Sequence, residues 1–99
     1  MSSIMAIAGS GMRAAHQGVQ VAAHNVANLA TPDAQRLQLK RSTAAEGGVQ
    51  TSVGTTVEDP AAPVADLLAA RTEVLAFKAN AMVLRRADEM VGTLFDQRA

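Results

Sequence analysis

The chain has 99 residues and no cysteine, so it makes one domain at most and carries neither disulfide nor thiolate chemistry. Apolar residues amount to 48 %, but alanine is the largest part, and Phe77 and Phe95 are the only aromatics, which suits close helix contact better than a thick core. Lys+Arg and Asp+Glu balance at nine each, leaving no overall field to draw the chain to nucleic acid or an anionic membrane.

Residues 3–30 are expected to form one helix. Apolar side chains recur at helical spacing through Ile4, Ala8, Met12, Ala15, Val19, Ala22, Val26 and Leu29. A second, mostly small series runs beside it: Ile7, Gly11, Ala14, Gly18 and Val21. Thr31-Pro32 stops the helix, because a residue before proline is pushed out of the α region. Asn28 is placed to cap the last turn.

Gly9, Gly11 and Ala14 also fit G-x-G-x-x-[G/A], the dinucleotide fingerprint. That motif needs a strand before it and an acid at the end of a second strand. Ile4 to Ala8 instead continues in helical register into Met12 and Ala15, and Asp33 precedes the next candidate strand where it should follow it. The glycines are read as positions of close helix packing, and no cofactor is expected.

Residues 31–62 change character. "LQLKRS" alternates, Glu46-Gly47-Gly48 signals a turn, and "VQTSVGTTV" is β-branched, so a short β-hairpin or an extended loop both fit. "EDPAAP" then starts a helix near Pro63. Residues 63–97 are the most strongly helical. Leu68, Leu75, Met82, Val83, Ala87, Met90 and Leu94 form one stripe, flanked by Leu67, Val74, Phe77, Ala81, Leu84, Val91 and Phe95. Arg85-Arg86 and Asp88-Glu89 can pair on the solvent side.

The fold class expected is mainly α, with two long helices pairing as an antiparallel coiled coil and a short connection between them. A hairpin of two helices buries one stripe on each, and both carry more apolar surface than that. The chain therefore reads as a subunit whose remaining surface other chains cover.

Catalysis has little support. The serines sit in no G-x-S-x-G frame, and carboxylates are sparse before Glu58. His16 and His24 are two helical turns apart, not the single turn usual for adjacent metal ligands, so no metal site is expected. Arg36, Lys40 and Arg41 lack interleaved aromatics and read as a solvated face, not a nucleic-acid site. The first helix has only Arg13 for a polar face at a membrane surface, and no apolar run is long enough to span a bilayer. No secretory signal is evident at the N-terminus, so any export is expected to proceed without signal cleavage. Asn25 and Asn28 are poor helix formers among apolar neighbours. They either cap a fraying end or hydrogen-bond across a helix interface and fix its register.

"SGMRAAHQGVQVAAHNVANLATP" resembles the N-terminal motif of the flagellar basal-body rod and hook family, S-G-M-x-A-x-Q followed by A-N-N-x-A-N-x-x-T-P-G. The matching positions are Ser10, Gly11, Met12, Ala14, Gln17, Ala23, Asn25, Ala27, Asn28, Thr31 and Pro32. "FKANAMVLRRADEMVGTLFDQRA" resembles the family's closing helix through Ala79, Asn80, Val83, Ala87, Asp88, Glu89, Met90, Thr93 and Leu94. His24 replaces the first Asn of the usual pair, Asp33-Ala34 replaces Gly and an aromatic, and Phe77 stands where Tyr is common.

The resemblance implies a structural subunit of the rod that spans the periplasm in the bacterial flagellar basal body, exported by the flagellar apparatus without a cleaved signal. Its partners would be further copies, other rod and hook-family subunits, and the export apparatus. The short middle segment suits a proximal-rod-like member. The assembly interface expected on this reading comprises Ile7, Gly11, Met12, Ala14, Gly18, Val21, Asn25 and Asn28 on the first helix. On the second it comprises Leu68, Leu75, Asn80, Met82, Val83, Ala87, Met90 and Leu94. The other reading is a cytoplasmic helical adaptor that binds rod subunits or the export apparatus.

Overall fold

The computed structural model describes residues 2–31, 35–57 and 62–98, with side chains from residue 3 as far as residue 94. The chain is mainly helical: α1 (Ser2–Ala27), β1 (Arg36–Thr43), β2 (Val49–Thr56) and α2 (Ala62–Arg98) follow in order. Pro32, Asp33, Ala34, residues 58–61 and the side chain of Phe95 lie outside the described residues. At 1.5 Å rise per residue the helices are about 39 and about 55 Å long. The radius of gyration, 17.4 Å, is well above the roughly 13 Å of a compact chain of this size. The molecule measures 63 × 25 × 16 Å. It is a rod.

Alanine-rich sequence favours both helices intrinsically, but packing fixes how they meet. Gly11 of α1 faces Asn80 of α2, and Gly18, a heptad on, faces Glu73, a heptad back. The helices are therefore antiparallel in a coiled-coil register. The α1 seam runs Ala8, Gly11, Ala15, Gly18, Ala22 and Asn25, all buried or half-buried. It takes members from both series expected from the sequence. The α2 seam alternates between Asp66, Glu73, Asn80, Ala87 and Ala70, Phe77, Leu84, Val91. Of the apolar stripe expected on α2, Ala87 alone is buried at 5 % exposure. Leu68, Leu75, Met82, Val83, Met90 and Leu94 are all exposed. The fully inward positions went to small or polar side chains because α1 presents little more than backbone there. Among the described residues, the buried apolar core is Ala8, Ala14, Ala15, Ala22, Ala62 and Ala87, with no large side chain fully buried.

The connection is a hairpin. β1 and β2 pair antiparallel from Arg36↔Thr56 to Thr43↔Val49. Gly47 and Gly48 close the turn at φ of 95° and 90°, a region that other residues adopt at a cost. α1 stops at Ala27, three residues short of the expected end. Leu29 and Thr31 instead donate backbone hydrogen bonds three residues back, to Val26 and Asn28. Asn28 does cap this end: its Nδ2 donates to the His24 carbonyl at 2.8 Å.

Candidate functional site: a pinned helix pair and an open apolar face

The hairpin lies along α1 and is held there by three polar side chains spaced about two turns apart. Ser10 Oγ accepts from the Val49 N–H at 3.1 Å while donating to the Ile7 carbonyl at 2.7 Å. Gln17 Oε1 accepts from the Thr51 hydroxyl. Asn25, 5 % exposed, uses its whole amide: Nδ2 donates to the Leu37 carbonyl at 2.9 Å, and Oδ1 accepts the Leu37 N–H at 2.8 Å. Leu37 thus has its outward-facing backbone groups satisfied by a side chain where a neighbouring strand would otherwise be needed. Ala14, one turn from both Ser10 and Gln17 on the same face, is buried.

Two ion pairs carry the hairpin across to α2. Arg36 grips Asp66 with both guanidinium Nη groups, at 2.8 and 3.0 Å, and Asp66 is only 6 % exposed. Arg41 reaches Glu73, whose Oε2 is buried without a partner among the described residues. The expected solvated basic face is thus only partly so, because two of its three cations are spent inside the chain. Arg36→Met strands a buried carboxylate and should destabilise the fold by about 2 kcal/mol, reduced from the fully buried case by the partial exposure of Arg36. Arg41→Met, at a pair whose arginine is 42 % exposed, should cost under about 1 kcal/mol. Urea denaturation of the two variants checks the order; equal losses would contradict it.

The sixteen residues expected at an assembly interface separate into three groups. Gly11, Ala14, Gly18, Asn25, Asn80 and Ala87 are occupied within the chain, in the helix seam or under the hairpin. Met12, Val21 and Asn28 are half-buried. Leu68, Leu75, Met82, Val83, Met90 and Leu94 are exposed, and Ile7, also partly exposed, lies against Gly47 of the hairpin turn. Of the readings open for the two asparagines, Asn25 bonds across elements, to a strand, and Asn28 caps its own helix. His24 is exposed, so its departure from the motif leaves the interior unchanged. Sequence reasoning missed Asp66, Glu73, Arg36 and Ser10 as fixing residues. The heptad spacing of Asp66, Glu73 and Asn80 was the available signal.

The dinucleotide reading has no strand to stand on: Ile4–Ala8 lies inside α1. Gly9 has only Arg13 of its own helix nearby and serves no close approach. His16 and His24 are both exposed, and among the described residues no three His, Asp or Glu side chains are grouped to hold a metal ion. No helix among the described residues is long and apolar enough to cross a membrane.

The open face lies on α2. Leu68, Leu75 and Met82 are a heptad apart and each 61 % exposed. Their row points away from the seam used by α1. In the antiparallel register α1 begins near the level of Glu89, so the last turns of α2, with Met90 and Leu94 at 59 and 58 % exposure, run past it. Ile4 of α1 joins Ala79, Met82, Val83, Ala87 and Met90, with Arg86 at its edge, around a mostly apolar groove of about 480 Å³. Large apolar side chains in such a line form a continuous exposed apolar strip. No protein-family model matches this chain, and no curated protein matches it in sequence.

Proposed function

We propose that the chain is a structural subunit of the bacterial flagellar basal-body rod, assembling through the outer face of its α2 helix. The observation that carries this reading is the partial inversion of the long helix, with Asp66, Glu73 and Asn80 sharing the inward seam with Leu84 and Val91 while Leu68, Leu75 and Met82 face outward. A self-sufficient two-helix protein gains by the opposite arrangement, since burying a leucine is worth about 1.5–3 kcal/mol. The same sequence makes sense in a subunit whose stable form is the assembly. The residues resembling the rod and hook motifs support the reading from the other side. Ser10, Gly11, Gln17, Asn25 and Asn80 hold the helix pair and hairpin in shape, which preserves the outward face for neighbours.

Contacts between different surfaces of successive subunits do not close on themselves and so build a filament. Burial of apolar side chains drives assembly at roughly 25 cal/mol per Å². Ordering of the chain ends opposes it.

The test replaces Leu68, Leu75 and Met82 by glutamine together. All three are exposed, so the melting curve of the purified chain should move little, by under about 0.5 kcal/mol per site. Incorporation into basal bodies, and swimming, should be lost in cells whose only copy is the variant. Normal swimming and incorporation would overturn the assembly role of this face.

A further inference from the structure

The outer face of α2 is not symmetrical, and its asymmetry says what kind of helix covers it. The row Leu68, Leu75, Met82 and the neighbouring row Thr72, Ala79, Arg86 alternate at coiled-coil spacing, forming a second seam outside the one α1 fills, with Ile4 of α1 bordering its end at Met82 and Arg86. One edge of this seam is the heptad row Arg71, Lys78, Arg85, all exposed. The other edge is Ala69, Ala76, Val83, Met90, without charge. One basic edge and one apolar edge flank the open seam.

From this we infer that the outer seam of α2 binds an amphipathic helix of a different protein, one bearing acidic side chains along the edge that meets Arg71, Lys78 and Arg85. The inference rests on the reading of this face as an assembly surface and adds the chemistry of the partner.

A second copy of this chain does not supply that chemistry through the same face. In an antiparallel pair of α2 helices the basic edge faces itself, placing Lys78 near its counterpart and Arg71 near Arg85. In a parallel pair the basic edge meets the apolar edge, and its cations gain no anion. Exposed carboxylates on α2 do not change this. Glu89 lies 3.6 Å from Arg85 of its own helix, with Asp88 beside it at the same end, so Arg71 and Lys78 are the cations of this edge that no acid of α2 reaches among the described residues. The flanking charges of a coiled coil set partner choice more than affinity, and like charges brought together select against a pairing. The basic edge therefore disfavours self-association and favours an acidic neighbour.

The test uses the full chain and two synthetic three-heptad peptides with an identical leucine seam. One carries glutamate at both flanking heptad positions and the other lysine, so orientation does not matter. Binding is followed by fluorescence anisotropy at low and high salt. The glutamate peptide should bind at least about tenfold more tightly at low salt, with the difference shrinking as salt screens it. Arg71→Glu with Lys78→Glu should reverse the preference, and Leu75→Gln should weaken both peptides, while circular dichroism reports an unchanged fold. Equal binding of the two peptides, binding of neither, or a preference that survives the charge reversal would overturn the inference. So would a stable dimer of the free chain that a Leu75→Cys variant cross-links across the face. An acidic-partner failure would leave rod incorporation to be judged by the glutamine variants, so the two readings fail separately.

Discussion

Gly18→Leu is expected to cost about 2–3 kcal/mol, a large share of what so thin a core can supply. The position is buried, and a Cβ there would lie 2.7 Å from Glu73 Cγ and closer still to its carboxylate. Two effects oppose each other. Leucine is the better helix former by about 0.8 kcal/mol. Against that, the helices must separate or Glu73 must swing away, abandoning Arg41 and opening the seam. Overpacking wins. In a chain of this length such a loss lowers the melting temperature by roughly 10–20 °C. Gly9→Ala is the control, because its Cβ would meet only Arg13 Nη1 at 3.6 Å, an ordinary contact. It should stabilise by about 0.5–1 kcal/mol. If both variants shift stability in the same direction, the seam assignment is wrong.

Asn25→Ala is expected to cost about 2–3 kcal/mol. The alanine removes two hydrogen bonds and leaves the N–H and C=O of Leu37 without their side-chain partners. Asn25→Asp should not rescue it. A carboxylate accepts from the Leu37 N–H but repels the Leu37 carbonyl, and it must also be buried. Asn28→Ala should cost under about 0.5 kcal/mol, because its amide bonds only to the exposed end of its own helix. Hydrogen exchange at the Leu37 amide reads the mechanism directly. It should accelerate in Asn25→Ala by at least as much as global stability falls, and stay slow in Asn28→Ala relative to that variant.

The helices and strands were legible because their signals are local. Alanine content and apolar spacing mark α1, while the Gly47-Gly48 turn between the alternating LQLKRS and the β-branched VQTSVGTTV left a hairpin or an extended loop open, and the structure has the hairpin. The antiparallel pairing also followed from two helices joined by a short connection. What the sequence did not disclose is which face of α2 meets α1. Leu68, Leu75 and Met82 look like a core stripe by hydrophobicity, yet they are outside. Asp66 and Glu73 look like surface residues, yet they lie in the seam. Their places depend on Arg36 and Arg41, which are distant in sequence and arrive only once the hairpin has folded onto α1. Hydrophobic periodicity cannot register such partners. Neither can it tell a stripe that packs within the chain from one that packs against a neighbour.

Gly11 and Gly18 show the same limit from the other side. Their small size announces close approach, and close approach is what they provide. The sequence does not say to what. The contacts are with Asn80 and Glu73 of the same chain, so the small residues bring the two helices together while the large ones on α2 stay exposed.

The measurement that tests the central claim most directly is mass spectrometry of intact hook–basal bodies purified from the native organism. A structural rod subunit should be present at several copies per particle and should stay through washes that remove peripheral proteins. Its absence from complete, functional particles, with the protein confined to the cytoplasm, would contradict the rod reading and assign the open face of α2 to a helical adaptor instead.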